Sequence, residues 1–125
     1  MATGTLVAES IAVGRDLHGL DLVLRGIERV EAADLSDGQR AAGIPERWTL
    51  LRFDVADAAA AAFAESLAGV LDEPGWYADL HTVDESFVVF AGRVFRYPMG
   101  DREGRAAAEA HARAHGVPEP QIDWP

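Results

Sequence analysis

The chain contains neither cysteine nor lysine. Without cysteine there is no disulfide framework, no thiolate metal site and no cysteine nucleophile. Without lysine there is no Schiff-base lysine and no P-loop lysine; all 11 basic residues are arginine. Long apolar runs are missing too. The longest charge-free one, Ala58 to Ala64, is much shorter than the ~20 residues that span a bilayer. No basic n-region followed by an apolar h-region opens the chain, so the expected location is the cytoplasm, with no membrane partner. Positive charge is also in short supply: 21 Asp and Glu against 11 Arg leave a net charge of −10, which argues against nucleic-acid binding. What is abundant is apolar residues, at 49% over 125 residues, enough for one folded domain and too many for a wholly disordered chain.

Thr5 to Val13 is short, apolar and β-tolerant, and reads as a strand closed by Gly14. Leu20 to Val30 fits helical spacing through Leu20, Val23, Leu24, Ile27 and Val30, but also alternates through Val23, Arg25, Ile27 and Arg29. Gly26 disfavours a helix interior, which tips the reading to a strand bulged at that glycine. Glu31 to Arg47 has little periodicity. Ser36 followed by Gln39 predicts a capping box and a single helical turn ending at Gly43, within a long loop expected to be the mobile element. Trp48 to Val55 alternates as a strand, with Thr49, Leu51, Phe53 and Val55 on one face and Arg52 and Asp54 on the other. A helix follows, N-capped by Asp57, carried by five alanines and ended by Pro74-Gly75. Trp76 to Tyr97 reads as three strands turning at Asp84-Glu85 and Ala91-Gly92. A last helix spans about Arg102 to His115, N-capped by Asp101 and stopped by Gly116. Its Ala107, Ala110 and Ala114 predict close approach to the sheet, and Ile122 and Trp124 predict a final segment that docks back onto the domain.

Strands in sequential hairpins, two helices and no βαβ alternation predict a single α+β domain: a two-layer, mainly antiparallel sheet of five or six strands with both helices on one face. Two-residue turns would place Trp76, Ala78, Leu80, Thr82, Phe87, Val89, Val94 and Arg96 on the helix-packed face. The opposite face would then collect Tyr77, Asp79, His81, Val88, Phe90, Arg93, Phe95 and Tyr97. That mixture of aromatics with an acid, an imidazole and a guanidinium fits three descriptions. It suits a homodimer interface, a ligand cleft with convergent polar groups, or an ordinary sheet face partly covered by the long loop, with Asp79 and Arg93 as a cross-strand ion pair.

Signals for chemistry are sparse. Asp79 and His81 share a face and could form an oriented imidazole, but no serine sits in a nucleophile elbow. His111 and His115, four apart on a helix, could face one metal, yet zinc needs a third and fourth ligand, and a histidine at a helix C-terminus is favoured by the macrodipole anyway. No cofactor or metal is expected. Arg93, Arg96, Arg102 and Arg105 gather four of the 11 arginines beside a helix N-terminus, where local compensation by Asp101 and Glu103 outweighs an anion site. Asp34-Leu-Ser-Asp37-Gly38 lacks the alternate acids and terminal Glu of a calcium loop.

Trp76-Tyr77, Phe87-Val-Val-Phe90 with Gly92-Arg-Val-Phe-Arg-Tyr97, and Gly116-Val-Pro-Glu-Pro-Gln-Ile-Asp-Trp124 resemble a group of small bacterial proteins of uncharacterised function. These share the W-Y pair, the hairpin and a G-V-P-x-x-Q-[IL]-D-W ending. The resemblance covers about the last 50 residues and implies one compact domain, with no activity and no catalytic residues to carry over. The expected function is a non-enzymatic interaction protein acting as a homodimer, its acidity suited to a basic protein partner. The alternative is a small enzyme or ligand-binding protein using the face of Tyr77, Asp79, His81, Arg93 and Tyr97.

Overall fold

A computed structural model of the protein describes residues 1–18 and 21–125. Six strands, β1 (Ala2–Val7), β2 (Leu22–Glu31), β3 (Arg47–Val55), β4 (Ala78–His81), β5 (Glu85–Phe90) and β6 (Arg93–Pro98), form one antiparallel sheet. Its order is β2-β3-β1-β4-β5-β6. A single helical turn, α1 (Asp37–Ala41), and two longer helices, α2 (Ala60–Ala68) and α3 (Arg102–Ala114), complete an α+β fold. The segment after Asp21 is a strand, and its register shifts between Leu24 and Gly26, where a glycine bulge was expected. Leu20, the first residue of that expected segment, lies outside the described residues. No helix among the described residues is long and apolar enough to cross a membrane.

Strand alternation divides the side chains between two faces. On one, Phe53, Leu80, Phe87 and Val89 pack against Ala60, Phe63, Ala64 and Leu67 of α2. Gly4 makes this close packing feasible, because a Cβ there would lie 2.4 Å from the Asp79 carbonyl oxygen. On the other, Val88, Phe90 and Tyr97 are buried beneath Ala108 and Ala112 of α3 and Trp124 of the final segment. The two helices therefore take opposite faces, which corrects the expectation that they share one. The reason is the aromatic face itself: with both helices on the α2 side, Phe90 and Tyr97 would be wet. The stripe that meets the sheet is Gly104, Ala108 and Ala112, not Ala107, Ala110 and Ala114, which are exposed. Gly104 is the closest approach; a Cβ on it would lie 2.3 Å from Tyr97 Cβ.

Several boundaries move. β1 begins at Ala2 and ends at Val7, where a 3-10 turn (Ala8–Ser10) replaces the expected continuation to Val13. Before α2, Asp57 lies in a 3-10 turn and makes no cap; its carboxylate pairs with the Met1 amine at 3.1 Å. α2 stops at Ala68, well before Pro74. The β4–β5 turn falls at Val83-Asp84, closed by Thr82 N–H donating to the Glu85 carbonyl at 2.9 Å. It comes one residue early, which shifts the pairing by two positions, so every β4–β5 residue keeps its expected face. Trp76 does change sides. β4 starts only at Ala78, so Trp76 escapes the alternation and packs with Val7, Leu35 and Ile44. The Asp101 cap, accepting from Glu103 N–H at 3.1 Å, and the left-handed Gly116 at φ 84° end α3 as expected.

Candidate ligand-binding cleft

α3 and the final segment cover only the β5–β6 side of the aromatic face. Over the rest lies a cleft of about 450 Å³, within the range of small-molecule sites (~300–1,000 Å³). Register fixes its floor. Arg52 of β3, Thr5 of β1 and Asp79 of β4 stand in one row, which continues to Val88 and Phe95 under α3. Val7 and Leu50 form the next pair. One wall is Trp48 against Trp76, ring centroids 5.2 Å apart. The final segment, through Gln121, Asp123 and Trp124, forms a rim, and Val30 to Asp34 completes the lining.

Polar contacts hold these rims. Ser36 accepts from Gln39 N–H while the Gln39 side chain accepts from Ser36 N–H, which is the expected capping box. Ser36 Oγ also donates to the Gly116 carbonyl at 2.9 Å, and Gln39 Nε2 donates to the Gly75 carbonyl and to Gln121 Oε1 at 3.3 and 3.1 Å. Residues 31–47, expected as the mobile element, are thus pinned by buried Leu35, Gln39 and Ile44. Periodicity could not reveal this, because the anchors are single residues without a repeat.

The Tyr77 hydroxyl donates to the Gln121 carbonyl and lies 2.9 Å from Asp123 Oδ1. Burial, reinforced by the Asp123 carboxylate, pushes its ionisation up, so it stays a neutral donor committed to the rim. Asp79 is different. Its half-buried carboxyl has no hydrogen-bond or ion-pair partner among the described residues, and it opens into the cleft. Burial first, and the Asp123 carboxylate second, push it up to about 7. A carboxyl that ionises near neutrality in a cavity is a mark of functional sites.

The other candidates scatter. No hydrogen bond joins His81 to Asp79 among the described residues; His81 faces Thr3 and Ser86 in register, with its buried Nδ1 unpartnered. Arg93 makes no pair with Asp79. Asp79 pairs in register with Val88, whereas Arg93 sits opposite Phe90 and lays its guanidinium over Phe95, 4.5 Å from the ring centroid. Phe95 is half-buried, and Phe90 and Tyr97 are buried by the protein's own α3 and final segment. The docking of Ile122 and Trp124 is as the sequence suggested. His111 and His115 stack at 4.1 Å, and His111 also lies against Phe90 at 4.5 Å. No cluster of three or more His, Cys, Asp or Glu that could hold a metal occurs among the described residues. The arginine group disperses into local contacts, Arg96 with Glu85 at 2.6 Å and Arg105 with Glu109 at 3.3 Å.

Of the eight residues assigned to this face from the sequence, Tyr77 and Asp79 line the cleft. Trp48, Trp76, Thr5, Arg52, Gln121 and Asp123 line it without having been anticipated there. Alternation along β1 and β3 put Thr5 and Arg52 within reach of sequence reasoning, but strand order, on which their nearness to Asp79 depends, is not a local property. No known protein family, curated protein or solved structure matches the chain.

Proposed function

We propose that the protein is a small-molecule-binding protein and that its site is the cleft over β3, β1 and β4. One observation carries this reading: a carboxyl without a partner among the described residues, Asp79, on the floor of a cavity of about 450 Å³ lined by Trp48 and Trp76. A buried polar group is ordinarily satisfied within its own fold. A group left open to a roomy, aromatic-walled cavity is what a site for an external partner requires. The test is a fragment screen followed by ¹H–¹⁵N spectra of the whole protein. Fragments should shift the amides of Thr5, Leu50, Trp76 and Asp79 together, saturably. A screen whose hits all map elsewhere, or that yields none, overturns the reading.

The homodimer expectation attaches to a different surface. β2 is an edge strand of 10 residues, and it leaves Val23, Leu24 and Ile27 45%, 48% and 62% exposed. An edge of that length with apolar side chains is a template for pairing, and self-association through β2 is the reading it favours. Sedimentation of the wild type and of Ile27→Lys decides this: a dimer lost in the variant supports it, and a wild-type monomer at high concentration removes it.

A further inference from the structure

We propose that the cleft takes an organic ammonium ion, a primary or secondary amine carrying an apolar body. This rests on the cleft being the binding site and adds the class of its ligand. Four of the residues lining it are acidic, Glu31, Asp34, Asp79 and Asp123, against one base, Arg52. The Arg52 guanidinium is shared with Glu28 of β2, Nη2 lying 2.8 Å from Glu28 Oε1. An anionic ligand would therefore meet repulsion on the floor and at the rim, offset only by a guanidinium already paired with Glu28. Of the lining donors, the Tyr77 hydroxyl bonds the final segment, Trp48 Nε1 the Pro45 carbonyl at 2.8 Å and Gln121 Nε2 the Asp34 carbonyl at 3.5 Å, whereas Trp124 Nε1 is buried without a partner among the described residues. On the floor row the Asp79 carboxyl, beside Thr5, carries no hydrogen bond among the described residues and offers two acceptor oxygens. A ligand that brings N–H donors and positive charge supplies what that carboxylate lacks, and its charge also offsets the Asp79–Asp123 repulsion. The tilted Trp48–Trp76 pair then serves the rest of the ligand, since indole faces attract both cations and apolar groups. A quaternary ammonium satisfies the indoles but leaves Asp79 without a donor, which is why an N–H-bearing amine is the better fit.

Ammonium binding needs Asp79 ionised, and binding should release its proton. The charged and titratable groups around it are Asp123 and Tyr77 toward the rim, Glu31 and Asp34 at the end, Arg52 on β3 and His81 on its own strand.

Three probes with one apolar body separate the outcomes: 2-phenylethylamine, 2-phenylethanol and phenylacetate, titrated into the full protein at pH 8 with cleft amides as the readout. The amine is expected to bind at least tenfold tighter than the alcohol or the carboxylate. Its affinity should fall as pH drops from 8 to 6, by up to tenfold per unit, the limit set by one titrating group. Asp79→Asn should fold, lose the preference and flatten the pH dependence. If the alcohol or the carboxylate binds the cleft as well as the amine does, the ammonium assignment is overturned while the cleft remains a site. If the fragment screen finds cleft ligands but Asp79→Asn retains the amine preference, the assignment to Asp79 is likewise overturned. If nothing binds the cleft at all, both readings fail together.

Discussion

One cross-sheet row contains two environments. Arg52, Thr5, Asp79, Val88 and Phe95 are neighbours in register on a single face. At the β5–β6 end, α3 and Trp124 lie on the sheet and the row is apolar; at the β3–β1 end the row opens into the cleft and carries a guanidinium, a hydroxyl and a carboxyl. The sheet is continuous, so the difference comes from the cover. Where a helix made close-fitting by Gly104, Ala108 and Ala112 reaches the strands, aromatics fill the space and stabilise the fold. Beyond its reach, the same strand alternation presents polar groups to a cavity. On the proposed reading stability and binding are divided between two ends of one face, and Trp124 touches both, buried against Tyr77 and Phe90 while lining the cleft.

The sharpest way to break that division is to remove Trp124, which is 2% exposed. Trp124→Ala should cost about 3–5 kcal/mol, as for a large aromatic lost from a core, read as a lower denaturant midpoint with the slope unchanged. A loss below about 1 kcal/mol would mean that the final segment contributes little to the covered end. Gly104→Ala attacks the same end through α3. The added methyl meets the Tyr97 Cβ, which is held in a strand and cannot swing aside, so the helix must lift. Despite the better helix propensity of alanine, the net expectation is a loss of about 1–3 kcal/mol from overpacking. Gly26→Ala, at a bulge with open space around it, is the control and should have a far smaller effect.

What was legible in the sequence follows the same line. Features set by a few adjacent residues came through: the Ser36–Gln39 box, the Asp101 cap, the Gly116 stop, the bulge at Gly26 and the two faces of β5 and β6. The membership of Tyr77 and Asp79 in a mixed face was visible for that reason. What covers a face was not. Alternation carried back two residues before the start of β4 puts Trp76 on the helix-packed side, which it does not occupy. Element order alone predicts both helices on one face, and it does not say which face α3 covers or which of its alanine stripes meets the sheet. The cleft needed strand order, which sets β1 between β3 and β4 and so brings Thr5 beside Asp79 from 74 positions away.

Asp79 tests the open end. Its carboxyl is raised from 3.8 to about 7 in the fold, so the folded protein holds a proton that the unfolded chain has released. Between those limits stability must decline as pH rises, and above about 7 the full penalty is present. Asp79→Asn removes the penalty. The variant should match the wild type near pH 3 and exceed it by on the order of 2 kcal/mol at pH 8, read by denaturant melts at each pH. Equal stabilities across the range would show that the cleft does not desolvate this group. A gain in stability coupled to a loss of amine binding would place Asp79 among residues kept for a site at a cost to the fold.

The smallest expected effect concerns the rim that joins the two ends. Ser36 Oγ accepts from Gln39 N–H at 3.1 Å and donates to the Gly116 carbonyl at 2.9 Å, tying α1 to the segment that follows α3. Ser36→Ala should cost about 1 kcal/mol globally, the usual worth of an N-cap. The local consequence is more informative. Gln39 is then left without its cap, and the contacts it makes to Gly75 and Gln121 lose their anchor. Amides from Leu35 to Ile44 should therefore exchange faster by more than the global change allows, while those of β4 and β5 follow the global change alone. Uniform acceleration throughout would mean that the rim and the covered end open as one unit, and that the cleft cannot be loosened without loosening the core beside it.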